Sequence, residues 1–550
     1  MKTFLTLATT CCFCIALPAQ WSIDSLDINS VSAKLNSNGD LFTDYSSAGF
    51  RVPKDSTTNT IFAGALWIGG MDAGNNLHLA AQTYRQTGND FYPGPVMNPA
   101  NYSAANDALW NNVWKINKTM IDSFRLGLYA SVPAPIASWP GNGDVSQGQA
   151  ALLAPFVDQN SDGVYSPAGG DYPCIKGDQA LFVIFNDARN THGETGGLPL
   201  GVEFHLMLYA FSSPGNWLDS VVFINYKMYN RSAAAYTNTY IGSWTDFDIG
   251  AYDDDYLGCD IPRETYFGYN GDTNDGTSPI PTIGTYGANP PAQGVVFLHG
   301  PLADASDGID NDHDGTIDEP GEICLMNRFQ YYNNDLTVTG NPVNTTDYYH
   351  YLSGSWLDGS PVTFGGNAYG GSTPCNYVFP GDTDPDNPTL WSEVSVNNTP
   401  GDRHGIASSG PFTLQPNSET CIDYAYVFGR GTSGPSSSVT MMRLTVDSVK
   451  TFYNTTSPCS CVITPLSVNE HSSSMISLYP NPAKDNITIE WQPQNADARL
   501  EMYDVNGKIV SAQLINRSAT TVDLSGMTQG IYLVRIIDGN RIGSAKVIKQ

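Results

Sequence analysis

The chain reads as a mainly β protein: a β-sandwich-type ectodomain with long Gly/Asp/Asn-rich loops, followed by a small immunoglobulin-like β-sandwich at the C-terminus. Three observations lead there. The 550 residues hold 53 Gly, 35 Pro, 30 Tyr and 22 Phe, a composition of strands, turns and aromatic packing. Of the 54 acidic residues only 10 are Glu and 44 are Asp; Glu favours helices, whereas Asp caps turns and supplies short ligand arms. Apolar residues recur with period two in run after run, and helical periodicity is rare.

At the N-terminus, Lys2, an apolar stretch over residues 4–17 and small residues before position 20 predict a signal peptide cleaved after Ala19. It is too short to span a membrane, and no later stretch approaches the roughly 18 apolar residues a spanning helix needs. Cys11, Cys12 and Cys14 do not make it a lipoprotein signal, because "LATTC" sits too early in the apolar run. The ectodomain is expected over residues 20–460, with a subdomain boundary near 130–180 left open. The best helical candidate is residues 103–125, in one or two short pieces. "GVEFHLMLYAF" (201–211) and "DSVVFINYKMYN" (219–230) read as a long antiparallel pair. Val202, Phe204, Leu206 and Leu208 share one face of the first strand; Glu203, His205, Met207 and Tyr209 share the other. "ALFVIFND" (180–187), "GVVFLHG" (294–300) and "CIDYAYVFGRG" (421–431) add buried strands. Residues 270–325 and 365–410 are mostly loop. Residues 461–475 are a polar joint, and 476–550 hold a compact module of five to seven short strands with a hairpin turned at Asn506-Gly507.

A formal charge of −28 sets the chain against nucleic acid and anionic membrane surfaces. The seven cysteines beyond the leader (Cys174, Cys259, Cys324, Cys375, Cys421, Cys459, Cys461) are odd in number and too sparse to staple the fold. One to three disulfides are expected in an oxidising compartment, with open connectivity.

The motifs "SLYPNPAKDNITIEW", "YDVNGKIV", "LSGMTQGIYLVRI" and the terminal "KVIKQ" resemble the type A C-terminal sorting domain of the Bacteroidota type IX secretion system. The resemblance covers residues 476–550. It implies export to the cell surface or beyond through the type IX machinery, tail removal in many members, and anchoring to surface lipopolysaccharide. The region over about residues 35–430, including "IFAGALWIGGMDAGNNLHLAAQTYRQTGNDFYPGP" and "DQNSDGVYSPAGGDYPCIKGDQALFVIFND", is similar to large secreted Bacteroidota proteins with that tail; this likeness implies no activity.

Two acidic loops carry the candidate chemistry. From Asp310, aspartates fall at positions 1, 3 and 5 (Asp310, Asp312, Asp314), then Gly315, Thr316 and Asp318 at 6, 7 and 9. This is the first half of an EF-hand-like calcium loop, in which alternate side chains aim oxygens at one point and the position-7 carbonyl joins them. Position 12 is Gly321, so Glu319 or Glu322 must supply the bidentate ligand. "DQNSDGVYS" repeats the template with Asp158, Asn160, Asp162, Gly163, the Val164 carbonyl and Ser166, with Asp171 nearby. Structural calcium is the expected cofactor; the competing reading is a solvated, turn-rich loop. The looser cluster at Asp246, Asp248, Asp253, Asp254, Asp255 and Asp260 weighs toward a solvated loop, as does "GDTDPD" (381–386).

Catalytic templates fail in turn. "HGETG" at His192 lacks the second histidine of a zinc protease helix, and "GTSGP" has the wrong spacing for a nucleophile elbow. Glu203 and His205 would share a strand face as a metal or acid–base pair, but the solvated side of a half-buried strand is the heavier reading. No catalytic residue is assigned. The sequence favours a secreted surface protein with an adhesive or structural role, binding a glycan or matrix ligand. A glycan-active hydrolase with unidentified carboxylates is the alternative.

Overall fold

The computed structural model describes residues 21–84, 87–279, 283–381, 390–455, 476–491, 498–504, 509–515, 517–538 and 541–550. The expected leader with its three cysteines, the polar joint, Cys459 and Cys461, His471, residues 382–386 and the Asn506-Gly507 turn lie outside them. The protein is mainly β, 39% strand and 13% helix, and divides into two compact units, one reaching Val462 and one starting at Ile463.

The first unit is built on two large antiparallel sheets. One runs from Ile23–Leu26 through Ser32–Asn36, Phe50–Arg51, Asn59–Met71, Tyr236–Phe247 and Arg403–Leu414 to Arg328–Asn333. The other runs Asp255–Asp260, Thr265–Asn270, Ala292–His299, Glu419–Gly429, Val221–Asn230, Val202–Ala210, Gln179–Asn186 and Tyr92–Pro93. The predicted pair is there, Val202 opposite Asn230 and Tyr209 opposite Phe223, and the other three expected strands lie in the same sheet. One apolar cluster joins the two inner faces, with Trp67, Ile241 and Trp244 from the first sheet and Phe204, Leu206 and Tyr226 from the second. The rings of Phe42 and Tyr426 meet edge-on at 4.7 Å across the gap, and Thr60 Oγ1 donates to Gln293 Oε1 at 2.8 Å. Alternation along each strand thus builds a sandwich core from both sides.

The helix expected at 103–125 appears as Ala104–Trp110 and Lys118–Arg125, with a short strand between. A longer helix, Pro435–Tyr453, packs on the second sheet's strands with Val439, Met442, Val446, Val449 and Tyr453 buried. That 3-4-3-4 spacing is a helical stripe, unread in the sequence because Ser, Thr and Val fill the helix and favour strands or caps. Cys174 and Cys421 each belong to a disulfide, Cys324 and Cys375 carry free thiols, and the Cys259 thiol donates to the Val378 carbonyl at 3.4 Å.

The tight turn after Ser32–Asn36 buries Asp40, which accepts hydrogen bonds from Tyr45 Oη (2.6 Å) and Asn38 Nδ2 (2.9 Å). Burial, with the Glu194 charge adding, outweighs those bonds and pushes its carboxyl up to about 7 from 3.8. A folded value above the unfolded one favours folding at low pH, and that advantage is lost as pH rises through 7. Asp40→Asn should therefore stabilise the protein at pH 8, by up to roughly 4 kcal/mol, and add nothing at pH 4. Thermal melts of both proteins across that range read the difference.

The second unit stacks a three-stranded sheet (Ile476–Tyr479, Asn486–Trp491, Ala519–Asp523) and a four-stranded one (Ile509–Ile515, Ala498–Tyr503, Gly530–Asp538, Arg541–Lys549). Ile487, Ile489, Leu500, Met502, Val534 and Val547 form its own core. This is the small sandwich the motif order predicts.

Candidate metal centre

Both acidic loops begin with local chemistry that curls the chain around its own carboxylates. In each, position 4 (Ser161, φ 61°; His313, φ 58°) and the glycine at position 6 (Gly163, φ 76°; Gly315, φ 95°) are left-handed. A Cβ at either glycine would meet nothing within 4 Å, so glycine is required by backbone conformation and not by space. The position-6 amide donates to the position-1 aspartate: Gly163 to Asp158 Oδ2 at 2.7 Å, Gly315 to Asp310 Oδ2 at 3.1 Å. Position 7 donates to position 5 at 2.8 Å in both loops, Val164 to Asp162 and Thr316 to Asp314. Position 5 donates to position 3, Asp162 to Asn160 at 3.1 Å and Asp314 to Asp312 at 3.2 Å. Two stretches with different flanks take one backbone course.

Their surroundings differ. The two-stranded ribbon Phe156–Val157 with Tyr172–Pro173 closes the first loop, setting Asp158 beside buried Asp171. Asp158, Asp162 and Asp171 present oxygens within 4.8 Å of one another. The Ser166 amide donates to Asp171 Oδ2 at 2.7 Å, and Asn160 Nδ2 donates to Asp162 Oδ2 at 2.8 Å. The second loop is closed by a bridge between Leu302 and Ile323 and pinned by buried Asn311, whose carbonyl accepts from Asn327 Nδ2 at 2.8 Å. His313 Nδ1 lies 2.7 Å from Glu264 Oε1, and that contact holds the imidazole above its ordinary value.

Asp310, Asp312 and Asp314 converge, and Asp312 also converges with Glu319 and buried Glu322. Asp318 stands outside both groups and accepts the Gly308 amide at 3.0 Å. Asp310 Oδ1 and Glu319 Oε2 are buried and accept no hydrogen bond among the described residues. Burial raises the Asp312 carboxyl and the Asp314 and Asp310 charges add to this, against one amide from Asp314. Such a ring of oxygens fits a hard cation that takes six to eight of them.

Elsewhere the structure corrects the sequence reading. The Glu203–His205 pair is not the solvated side of a strand: all of Val202–Ala210 is buried. Glu203 Oε1 takes His205 Nε2 at 2.9 Å and Arg231 Nη2 at 2.6 Å, and its Oε2 takes the Val96 amide at 2.7 Å. Burial pushes Glu203 upward, but the His205 and Arg231 contacts win and hold it at about 2. The pair is an internal tie under the 95–99 segment. Nor is the 246–260 cluster as a whole a solvated loop, although Asp253 is exposed and Asp254 half-buried. Asp246, Asp248, Asp255 and Asp260 are buried, at or beside strand ends, and burial followed by neighbouring carboxylates lifts Asp246, Asp248 and Asp255 well above the usual range. His192, tried as a zinc ligand, is buried with Nδ1 2.6 Å from the Leu79 carbonyl and Nε2 2.8 Å from that of Asp187.

Residues 477–550 match the family model described as the secretion system C-terminal sorting domain. The second unit is a sorting domain. It makes the chain a secreted cargo of the type IX system. No curated protein matches the chain. Among solved structures, it is similar to a polysaccharide lyase at 8% identity and TM-score 0.20, over 67% of this chain but 35% of the lyase. It is also similar to PorZ, described as an essential bacterial surface component of the type-IX secretion system of Porphyromonas gingivalis, at 10% identity and TM-score 0.13, over 95% of this chain and 74% of that one. Likenesses this distant carry no argument. No helix among the described residues is long and apolar enough to cross a membrane.

Proposed function

We propose that the first unit is a calcium-stabilised extracellular body that acts at the cell surface by adhesion or as a structural element, delivered by the sorting domain and anchored on lipopolysaccharide. The observation that carries the calcium reading is the shared course of the two loops, with Asp310 Oδ1 and Glu319 Oε2 buried and undonated among gathered carboxylates. Unit negative charges about 5 Å apart repel by roughly 3 kcal/mol at an effective dielectric near 20; a divalent ion turns that repulsion into a clamp on each loop. Chelator should lower the melting temperature of the wild-type chain, and calcium should restore it. At a calcium level a hundredfold over the dissociation constant, each site contributes roughly 3 kcal/mol. Asp310→Ala and Asp158→Ala should each remove part of the calcium-dependent shift, and the double variant all of it. Melts that ignore calcium in the wild type would sink the assignment.

The adhesive reading draws on a polar cleft of about 450 Å³ in the first unit, lined by Tyr331, Asn333, Asn334, Asn367 and Arg403 among others. Phe364 (57% exposed) and Tyr369 (38% exposed) flank Asn367 in sequence, and such rings stack on sugar faces. Binding of the purified protein to glycan and matrix arrays, weakened by Tyr369→Ala, tests it. Asp335 and Asp402 also line the cleft, which keeps a glycan-active hydrolase as the second reading; release of reducing ends from an array glycan would favour it.

A further inference from the structure

A second kind of centre lies on the first sheet, away from the two oxygen-only loops. Asp246 on strand Tyr236–Phe247 stands opposite His404 on strand Arg403–Leu414, and His404 stands opposite Tyr332 on the next strand. Register partners project to the same face, so the sheet itself sets this row. Asp402, just before the His404 strand, completes a triangle: His404 Nε2 is 3.1 Å from Asp246 Oδ1 and 3.8 Å from Asp402 Oδ1. All three ligand atoms lie within 4.8 Å of one another. A tetrahedral ion with bonds of about 2.1 Å holds its ligands roughly 3.4 Å apart, and the two distances from the imidazole, 3.1 and 3.8 Å, lie on either side of that value.

The carboxylates crowd the imidazole more closely than one ion pair needs. The Asp246 side chain is 4% exposed, and its Oδ1 accepts no hydrogen bond among the described residues although the imidazole is near. Buried Asp248 brings a further carboxyl group to the same strand end, so several carboxyl groups gather around one imidazole. Asp402 is oriented from outside: Asn334 Nδ2 donates to its Oδ2 at 2.9 Å, leaving Oδ1 turned to the imidazole. The rings of Tyr332 (4.7 Å) and Trp244 (5.6 Å) wall His404 in.

We propose that Asp246, Asp402 and His404 bind a divalent transition-metal ion of the zinc class, with a fourth position facing the cleft that Asp402 lines. A nitrogen donor beside two carboxylates suits zinc and its neighbours, whereas calcium takes oxygens alone. The Asp402 side chain, 24% exposed, is the route by which ion, water or a small ligand reaches the centre. This centre is independent of the calcium reading, since it shares no residue with either loop.

The test uses the full chain, stripped by chelator and dialysed into excess calcium to occupy the oxygen-only loops. Zinc is then titrated and bound metal counted by mass spectrometry; cobalt in its place reports a nitrogen ligand through its visible absorption. One zinc per chain should remain in the wild type and in Asp310→Ala. Asp402→Asn, at the most exposed of the three ligands, should keep the wild-type circular dichroism yet weaken zinc by more than the roughly 10- to 100-fold that losing an outer-shell partner costs. His404→Gln should abolish the cobalt band. If His404 merely bridges the carboxylates as an imidazolium, the wild type will hold no stoichiometric zinc. That result, or wild-type zinc affinity in Asp402→Asn, overturns the proposal.

Discussion

Removal of residues 477–550 leaves the protein off the cell surface, with its export intermediate retained by the cell. The sorting domain is a separable address, because its core of Ile487, Leu500, Val534 and their neighbours contains no residue of the first unit's apolar cluster. Deletion therefore takes away the signal and spares the sandwich core. Fractionation followed by immunoblotting measures it: the truncated chain should be missing from the surface and medium while cell-associated protein persists. Full surface display of the truncated chain would refute the sorting role. Val534→Asp should reproduce the defect at a single position, since a buried charge in a core this small unfolds the unit.

Glu203→Ala should be among the most damaging single changes in the first unit, lowering its unfolding free energy by about 3–5 kcal/mol. The carboxylate is fully buried and receives three donors, His205, Arg231 and the Val96 amide. Its loss strands a buried imidazole and half-buried guanidinium beneath the 95–99 segment. Glu203→Gln keeps the shape and an acceptor and should cost less. The pH dependence is a second readout. A folded value near 2 against 4.5 for the free side chain stabilises the protein above about pH 4.5, and that stability is lost as pH falls toward 2. Wild type should lose roughly 2 kcal/mol from this group between pH 7 and pH 3, and Glu203→Gln should not; denaturant melts at those two pH values make the comparison.

The contrast between Glu203 and Asp310 explains what could be read in advance. The 310–318 loop announces itself because its geometry is local: alternate aspartates, a glycine forced to positive φ and amides two to five residues away suffice to build it. The carboxylates beyond the template, Asp171 in one loop and Glu319 with Glu322 in the other, join through a ribbon and a bridge. At 202–210 period two correctly indicated a strand and its inner face, but not that the outer face is covered as well. Coverage there comes from distant chain: the Val96 amide reaches Glu203, and the Lys176 amide meets Met207 Sδ at 3.2 Å.

Composition and local pattern thus determined the β class, the principal strands, the course of the acidic loops and the C-terminal address, because each depends on residues close together in the chain. Tertiary structure alone decided that Glu203 and Asp246 are buried, that His404 and Asp402 meet Asp246, and that a stripe of Val and Met around position 446 is helix. Those outcomes depend on which strands become neighbours, and pairing across hundreds of residues is set by the whole sandwich core, not by any local run.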